Sequence, residues 1–300
     1  DPSGMLTILA GTHSHGQGHQ TVYMQMVSEW LGVPFDNIRF IQGDTDAVPM
    51  GRGTYGSRSM HIGGNALKRA ADAIIEKAKP MAATMLEAAA GDLEFKDGTF
   101  RIVGTDRALP LTEVAKAFYR PVMLPPQFDV GLEASGTFAA EPPNYPNGCH
   151  VCEVEIDPET GAVTLDRYAA VDDVGKVMNR LLCEGQIHGG VAQGAGQALM
   201  EAIVFDSSGQ LLTGSFQDYA MPRADDLPEL VSELTEVPAK TNPLGVKGAG
   251  EAGATGAPPA IMSAILNALA PLGIEHIDMP ATPSHVWAAM KARASQVAAE

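Results

Sequence analysis

One carboxylate, Glu251, stands inside the run Gly245-Val246-Lys247-Gly248-Ala249-Gly250-Glu251-Ala252-Gly253, just ahead of an apolar stretch. Glycine lets a backbone come close to a large ligand. A carboxylate set in such side-chain-poor chain is therefore placed to face that ligand. A solvated, turn-rich loop has the same composition, so the other segments must decide. His13, His15 and His19 form H-x-H-x₃-H, a donor set with the chemistry of a zinc hydrolase. In an extended segment His13 and His15 share a face, while His19 lies beyond Gly16 and Gly18. The alternative is polar residues lining a ligand loop.

Further candidates follow along the chain. Arg58, beside Ser57, has the fork geometry to hold an anion, or to make an ordinary surface ion pair. Asp172 and Asp173 end an apolar stretch just before Gly175, where carboxylates accept hydrogen bonds from a ligand or from a turn. Gln193 lies within Gly189-Gly190-Val191-Ala192-Gln193-Gly194-Ala195-Gly196. Its amide both donates and accepts, and the surrounding glycines suit close helix packing.

Some signals point away from chemistry. Cys149-His150-Val151-Cys152 is formally C-x-x-C, yet it opens an extended run in which residues three apart face opposite ways. No second C-x-x-C completes a four-cysteine site. The three cysteines, Cys149, Cys152 and Cys183, read as buried small hydrophobes, and the low odd count fits a reducing compartment, hence a cytoplasmic location. Gly51–Gly56 and Gly248–Gly253 both match G-x-G-x-x-G, but neither follows a buried strand, so a nicotinamide-dinucleotide fold is rejected.

These residues need a scaffold, and composition bounds it. Three hundred residues with 45% hydrophobic content build a sizeable core in one large or two ordinary domains. No apolar run spans a bilayer. A formal charge of −16 argues against nucleic acid or an anionic membrane surface. An anionic ligand would have to be held locally, by backbone amides.

The patterning predicts a helix over residues 21–31, a strand over 37–41, a loop over 43–56 and a second helix from Leu67 that Pro80 interrupts. Asp97-Gly98 marks a hairpin. A proline-rich connection over 121–146 separates a first subdomain, 1–120, from a second, 147–300. The second holds strands over 151–156 and 163–168, a glycine-rich helix over 184–201, a hairpin around Ser208-Gly209, a strand over 230–237 and a helix from Pro258 to Ala270. Hairpins mixed with helices indicate an α+β fold rather than a doubly wound parallel sheet.

Five segments in this order resemble the molybdenum hydroxylases, the family of xanthine oxidase, aldehyde oxidase and the large subunit of aerobic carbon monoxide dehydrogenase. They are Gly16-Gln17-Gly18-His19-Gln20-Thr21, Gly53-Thr54-Tyr55-Gly56-Ser57-Arg58-Ser59, Val171-Asp172-Asp173-Val174-Gly175, Glu184 through Gly194, and Gly245 to Gly253. The likeness covers nearly the whole chain and is nearest to the carbon monoxide dehydrogenase type. It implies two mixed sheet-and-helix subdomains forming the family's second cofactor-binding domain. It also implies molybdopterin cytosine dinucleotide with molybdenum as cofactor, and an oxidoreductase that oxidises an aldehyde, an N-heterocycle or carbon monoxide with oxygen from water.

By the same resemblance Glu251 is the catalytic glutamate, and Gln17 and Gln193 bond the cofactor near the metal. Tyr55, Ser57, Arg58, Asp172 and Asn179 hold the dinucleotide, and Lys247 and Gly248 flank the pterin. Gly18, His19, Thr21, Thr54, Gly56 and Gly250 belong to the same cofactor loops. Two positions depart from the family pattern: Gln20 where Glu is frequent, and Arg180 after Asn179 where Pro is common. Family large subunits are much longer, which implies a fragment that is inactive alone. The rest of the large subunit, an iron–sulfur small subunit with [2Fe-2S] clusters and an FAD-carrying medium subunit are the implied partners, with a small-molecule substrate.

Overall fold

A computed structural model describes residues 1–140 and 142–297. By internal contacts the chain divides into two units, residues 1–144 with 238–246, and residues 145–237 with 247–300. The segment Pro238–Val246 thus belongs with the first unit although it lies late in the sequence.

In the first unit, strand β1 (Leu6–Ala10) leads through helix α1 (His19–Leu31) to β2 (Ile38–Gln42), which pairs with β1 in parallel from Leu6↔Ile38 to Ala10↔Gln42. Parallel neighbours need a crossover connection, which α1 supplies. Helix α2 (Asn65–Leu86) follows a single π-helical stretch, Ser59–Gly64. Contrary to the sequence expectation, Pro80 does not interrupt it: α2 runs through Pro80 unbroken. Apolar burial on both sides of the proline, by Ala78, Met81, Ala82 and Leu86, outweighs the lost backbone bond.

Strands β3 (Leu93–Lys96), β4 (Thr99–Ile102) and β5 (Ala108–Pro110) form an antiparallel meander ahead of helix α3 (Leu111–Phe118). The expected Asp97-Gly98 turn is there, with φ of 47° and 73°, the positive values a tight hairpin requires. Ile8, Val27, Leu31, Met81, Phe100 and Phe118 lie at the centre of this unit's core. Each such side chain contributes about 1.5–3 kcal/mol on burial.

The second unit is built on β6 (Asn147–Ile156), β7 (Val163–Asp173) and β8 (Leu230–Thr235), in that order. The β6–β7 hairpin is antiparallel with an irregularity at Glu153/Val154, whereas β8 pairs with β7 in parallel after helix α4 (Arg180–Leu199). Helix α5 (Ala252–Leu269) begins six residues before Pro258, so the prolines lie inside it and not at its start as expected. The hairpin expected near Ser208-Gly209 is a single bridge, Phe205↔Leu211. Helix α6 (Pro283–Val297) completes the unit. Meander, hairpin and two crossovers make the α+β class that the sequence indicated.

Helices α4 and α5 approach closely because both carry glycine where they cross. A Cβ on Gly190 would lie 2.8 Å from Gly253 Cα, and one on Gly253 2.7 Å from the Val191 amide nitrogen. Neither position admits a side chain without separating the helices. Tyr168, Ile187, Val191, Ile261 and Ile265 fill the core around this crossing.

Candidate functional site

Within the first unit, two of the sequence motifs come together. The His13 amide donates to Thr54 Oγ1 at 3.2 Å, and the Arg52 and Gly53 amides both donate to the Gly11 carbonyl at 3.1 and 3.2 Å. A Cβ on Gly11 would lie 2.6 Å from the Met50 carbonyl oxygen, so the two loops touch backbone to backbone. Gly18, at φ 81°, turns the first loop into α1, a conformation that strongly favours glycine. Gln17 is half-buried, and its side-chain oxygen accepts from the His15 amide. Thr21 is exposed on the first turn of α1.

In the second loop the guanidinium of Arg58 lies 4.1 Å from the centre of the Tyr55 ring, an attraction between cation and ring face. Tyr55 itself is 54% exposed. Arg58 also donates to the Gly53 carbonyl at 3.5 Å, while its Nε is buried and has no hydrogen-bond partner among the described residues. Nor does any carboxylate among them pair with it, in a chain with 36 acidic residues. Thr12 Oγ1, in the adjoining loop, is buried beside the Tyr23 hydroxyl. Behind both loops Tyr23 donates to the Ser59 carbonyl at 2.7 Å, and burial pushes its phenol up to about 12. Ser59 Oγ donates to Thr54 Oγ1 at 3.1 Å. Ser57 (φ 51°) and Gly56 complete the turn into the π-helical stretch.

His19 does not join His13 and His15. It is 6% exposed and stacks on Tyr23 at 5.5 Å between ring centres, and burial lowers its pKa, keeping it neutral. His13 and His15 are exposed, with Nδ1 and Nε2 3.2 Å apart. Among the described residues no group of three or more His, Cys, Asp or Glu is arranged to hold a metal ion. The zinc reading therefore finds no support in the donor set.

In the second unit the sheet ends in a charged cluster. Lys247 pairs with Asp173, whose carboxylate also accepts from the Gly175 and Val237 amides at 2.9 and 3.1 Å. Burial pushes the Asp173 carboxyl up, but these donors outweigh it and hold the group below its ordinary value. Asp172, 3% exposed, faces His150, with Nε2 3.2 Å from Oδ2, and His150 Nδ1 meets the Tyr168 hydroxyl at 2.7 Å. Asn179 caps α4, its side-chain oxygen accepting from the Leu182 amide at 3.0 Å. Arg180, the departure from the family pattern, starts that helix and pairs with Glu184 at 2.7 Å.

Gln193 is exposed on α4, and Gly189 and Gly185, one and two turns before it, have open space where a side chain would stand. Gly248 is buried, whereas Gly250 and Glu251 are exposed. Glu251 is the N-cap of α5, its carbonyl accepting from the Thr255 amide at 2.9 Å, at the helix end where negative charge is favourable.

The cysteine expectation needs correcting. Cys149 is exposed and Cys152 only partly buried, because β6 presents alternate residues to solvent, and Cys183 on α4 is partly buried as well. The buried His150–Asp172–Tyr168 group escaped the sequence reading. Its signal was the hairpin register: Gly148↔Asp172, His150↔Ala170 and Cys152↔Tyr168 put all three side chains on one face.

Residues 1–228 match the family model described as molybdopterin cofactor-binding domain. The chain belongs to that family. Its sequence is 38% identical over 294 residues to the carbon monoxide dehydrogenase large chain of Hydrogenophaga pseudoflava, and 39% identical over 293 residues to the nicotine 6-hydroxylase large subunit of Paenarthrobacter nicotinovorans. Both matches cover 97% of this chain and 36% of the relative. The fold resembles the reconstituted carbon monoxide dehydrogenase of Oligotropha carboxidovorans, with a TM-score of 0.90 at 37% identity over 98% of this chain and 37% of that one. It also resembles quinoline 2-oxidoreductase of Pseudomonas putida 86, with a TM-score of 0.85 at 36% identity over 97% of this chain and 37% of that one. The molybdopterin-domain chain thus spans about a third of the length of its curated relatives, and the resemblance drawn from the five motifs is borne out. Among the described residues no helix is long and apolar enough to cross a membrane.

Proposed function

We propose that these residues form part of the cofactor site of a molybdenum-dependent hydroxylase, holding molybdopterin cytosine dinucleotide and supplying its catalytic carboxylate. Arg58 carries the reading: a half-buried guanidinium in a glycine loop of an acidic chain, with an unpartnered Nε and no carboxylate beside it among the described residues. That is a site prepared for an anion, and the dinucleotide's phosphates supply one. Thr54, Tyr55, Gly56 and Ser57 shape the same loop, and Gly18, His19 and Thr21 begin the neighbouring helix, whose N-terminal amides suit a phosphate. Asp172 and Asn179 are assigned to the dinucleotide by the family resemblance alone; His150 already takes up the Asp172 carboxylate, which makes Asp172 a positioning residue.

When bound, the group supplies oxygen from water to the substrate and accepts its electrons. The chain's own contribution is to bind, orient and move a proton. Gln17 and Gln193 present amides to the ligand, and Lys247, Gly248 and Gly250 form the approach to Glu251. Glu251 receives the proton at its carboxylate. The substrate is an aldehyde, an N-heterocycle or carbon monoxide, and electrons leave through [2Fe-2S] and FAD subunits. This large-subunit region works with the rest of its polypeptide, in the cytoplasm. We assign the cofactor-binding subdomains to residues 1–120 and 147–300, joined by 121–146, except that 238–246 belongs with the first.

The test is cofactor content of the complete polypeptide carrying Arg58→Met, which keeps much of the side-chain length and removes the charge. Molybdenum and acid-released cytosine nucleotide should fall together, severalfold or more. Unchanged content of both would remove the assignment.

A further inference from the structure

A large cavity borders only one of the two strands in the first unit's parallel pair. It measures about 910 Å³ and is lined by every residue of β1 from Leu6 to Ala10, but by none of β2. Successive residues of a strand point to opposite faces. A cavity that meets odd and even residues alike, and misses the pairing partner, abuts the strand's outer edge. Among the described residues no strand other than β2 pairs with β1. A two-stranded parallel sheet with an open edge is an unusual end state, because parallel sheets are normally covered and extended.

A second wall of the cavity is equally unfinished. Residues 132–137 line it, within an extended stretch over 132–140 where half-buried and exposed residues alternate strictly. That alternation is the signature of a strand, yet no strand pairs with this stretch among the described residues. It is pinned to α2 instead: Arg69 donates to the Thr137 carbonyl at 2.8 Å, and a Cβ on Gly136 would lie 2.2 Å from the Ala66 carbonyl oxygen. Leu6, Ile8, Leu67, Ile74 and Leu111 make the cavity largely apolar.

We propose that the outer edge of β1 takes up an extended strand, apolar on one face, from the part of the large polypeptide lying outside these 300 residues. The relatives have most of their length outside the matched region, so such a segment is at hand. The size also falls in the range of small-molecule pockets, about 300–1,000 Å³. A small molecule leaves the row of edge amides and carbonyls unpaired, whereas a strand pairs them along its length. The cofactor reading is independent of this one and is untouched by its outcome.

Two measurements on the complete polypeptide test it. In hydrogen exchange, the amides of β1 should all be protected, each slowed by at least roughly a hundredfold over an unstructured amide. Protection alternating along β1, with every second amide exchanging fast, overturns the proposal. In photo-crosslinking, Leu9→p-benzoylphenylalanine should join to a residue of the same polypeptide outside the 300. Crosslinks only within the 300 residues, or to a second copy, overturn it. If that variant fails to fold, the exchange pattern of the unaltered protein still decides.

Discussion

Lys247 and Asp173 form an ion pair that ties the glycine loop leading to Glu251 onto the end of β7. The loop is secured a second time by its backbone, since the Lys247 amide donates to the Val174 carbonyl at 2.8 Å. The residue four positions before Glu251 is therefore fixed to the sheet by both main chain and side chain.

Lys247→Met should destabilise the protein by about 1.5–3 kcal/mol, the scale of a hydrogen bond to a charged group. The roughly 3–5 kcal/mol of a fully stranded buried charge overstates it, because the Gly175 and Val237 amides still hold Asp173. The pH dependence has a definite sign. Asp173 is held below its ordinary value of 3.8, so its contribution is fully present above that value and is lost as pH falls through the depressed one. Chemical denaturation from neutral to strongly acid pH should show this loss in the parent protein and a flatter profile in Asp173→Asn. Equal acid profiles would show that the pair does not anchor the loop.

The α4–α5 crossing separates two kinds of glycine. Gly190→Ala and Gly253→Ala should each cost about 1–3 kcal/mol through overpacking against the facing backbone. Gly185→Ala and Gly189→Ala meet open space and should gain up to about 1 kcal/mol from helix propensity. Urea midpoints of the four variants check the contrast. Four similar midpoints would mean that the crossing is not close.

Thiol chemistry should follow the face pattern of β6. Burial first, and then the charge of Glu153, push the Cys152 thiol up to about 11, so it stays protonated near neutral pH. Cys149 is exposed on the opposite face. Mass spectrometry of native protein after a short iodoacetamide pulse at pH 7.5 should find label on Cys149 well before Cys152. Replacing both with Ser should leave metal content unchanged, and a lost metal would reinstate the pair as ligands.

What could be read from the sequence was local. Asp97-Gly98 sets its hairpin through two residues that accept positive φ, and the glycines of α4 announce a close helix crossing. Long-range pairing was not legible. Nothing near Lys247 says that its partner is Asp173, 74 positions earlier, and His150 meets Asp172 only once the β6–β7 register is known. Pro80, read as a break, and Pro258, read as a start, misled for one reason: local propensity marks a helix boundary, and burial along the rest of the helix overrides it. At the candidate site the motifs named the loops, but the lack of a carboxylate beside Arg58 among the described residues is a spatial fact that no spacing reveals.

The assignment of Glu251 is tested most directly by Glu251→Gln in the complete enzyme. The amide keeps the size of the side chain and much of its hydrogen bonding, and the main-chain bond from Thr255 that starts α5 does not depend on it. Fold and cofactor content should therefore survive. A general base contributes about 10²–10⁴ in rate, and the variant should lose at least that much turnover per molybdenum. A glutamate that only caps α5 would instead leave turnover near normal, with at most about 1 kcal/mol lost in stability. Steady-state rates normalised to molybdenum, taken with a denaturation curve for the same samples, separate the two. A large loss of rate at equal molybdenum and equal stability places the Glu251 carboxylate in the proton transfer.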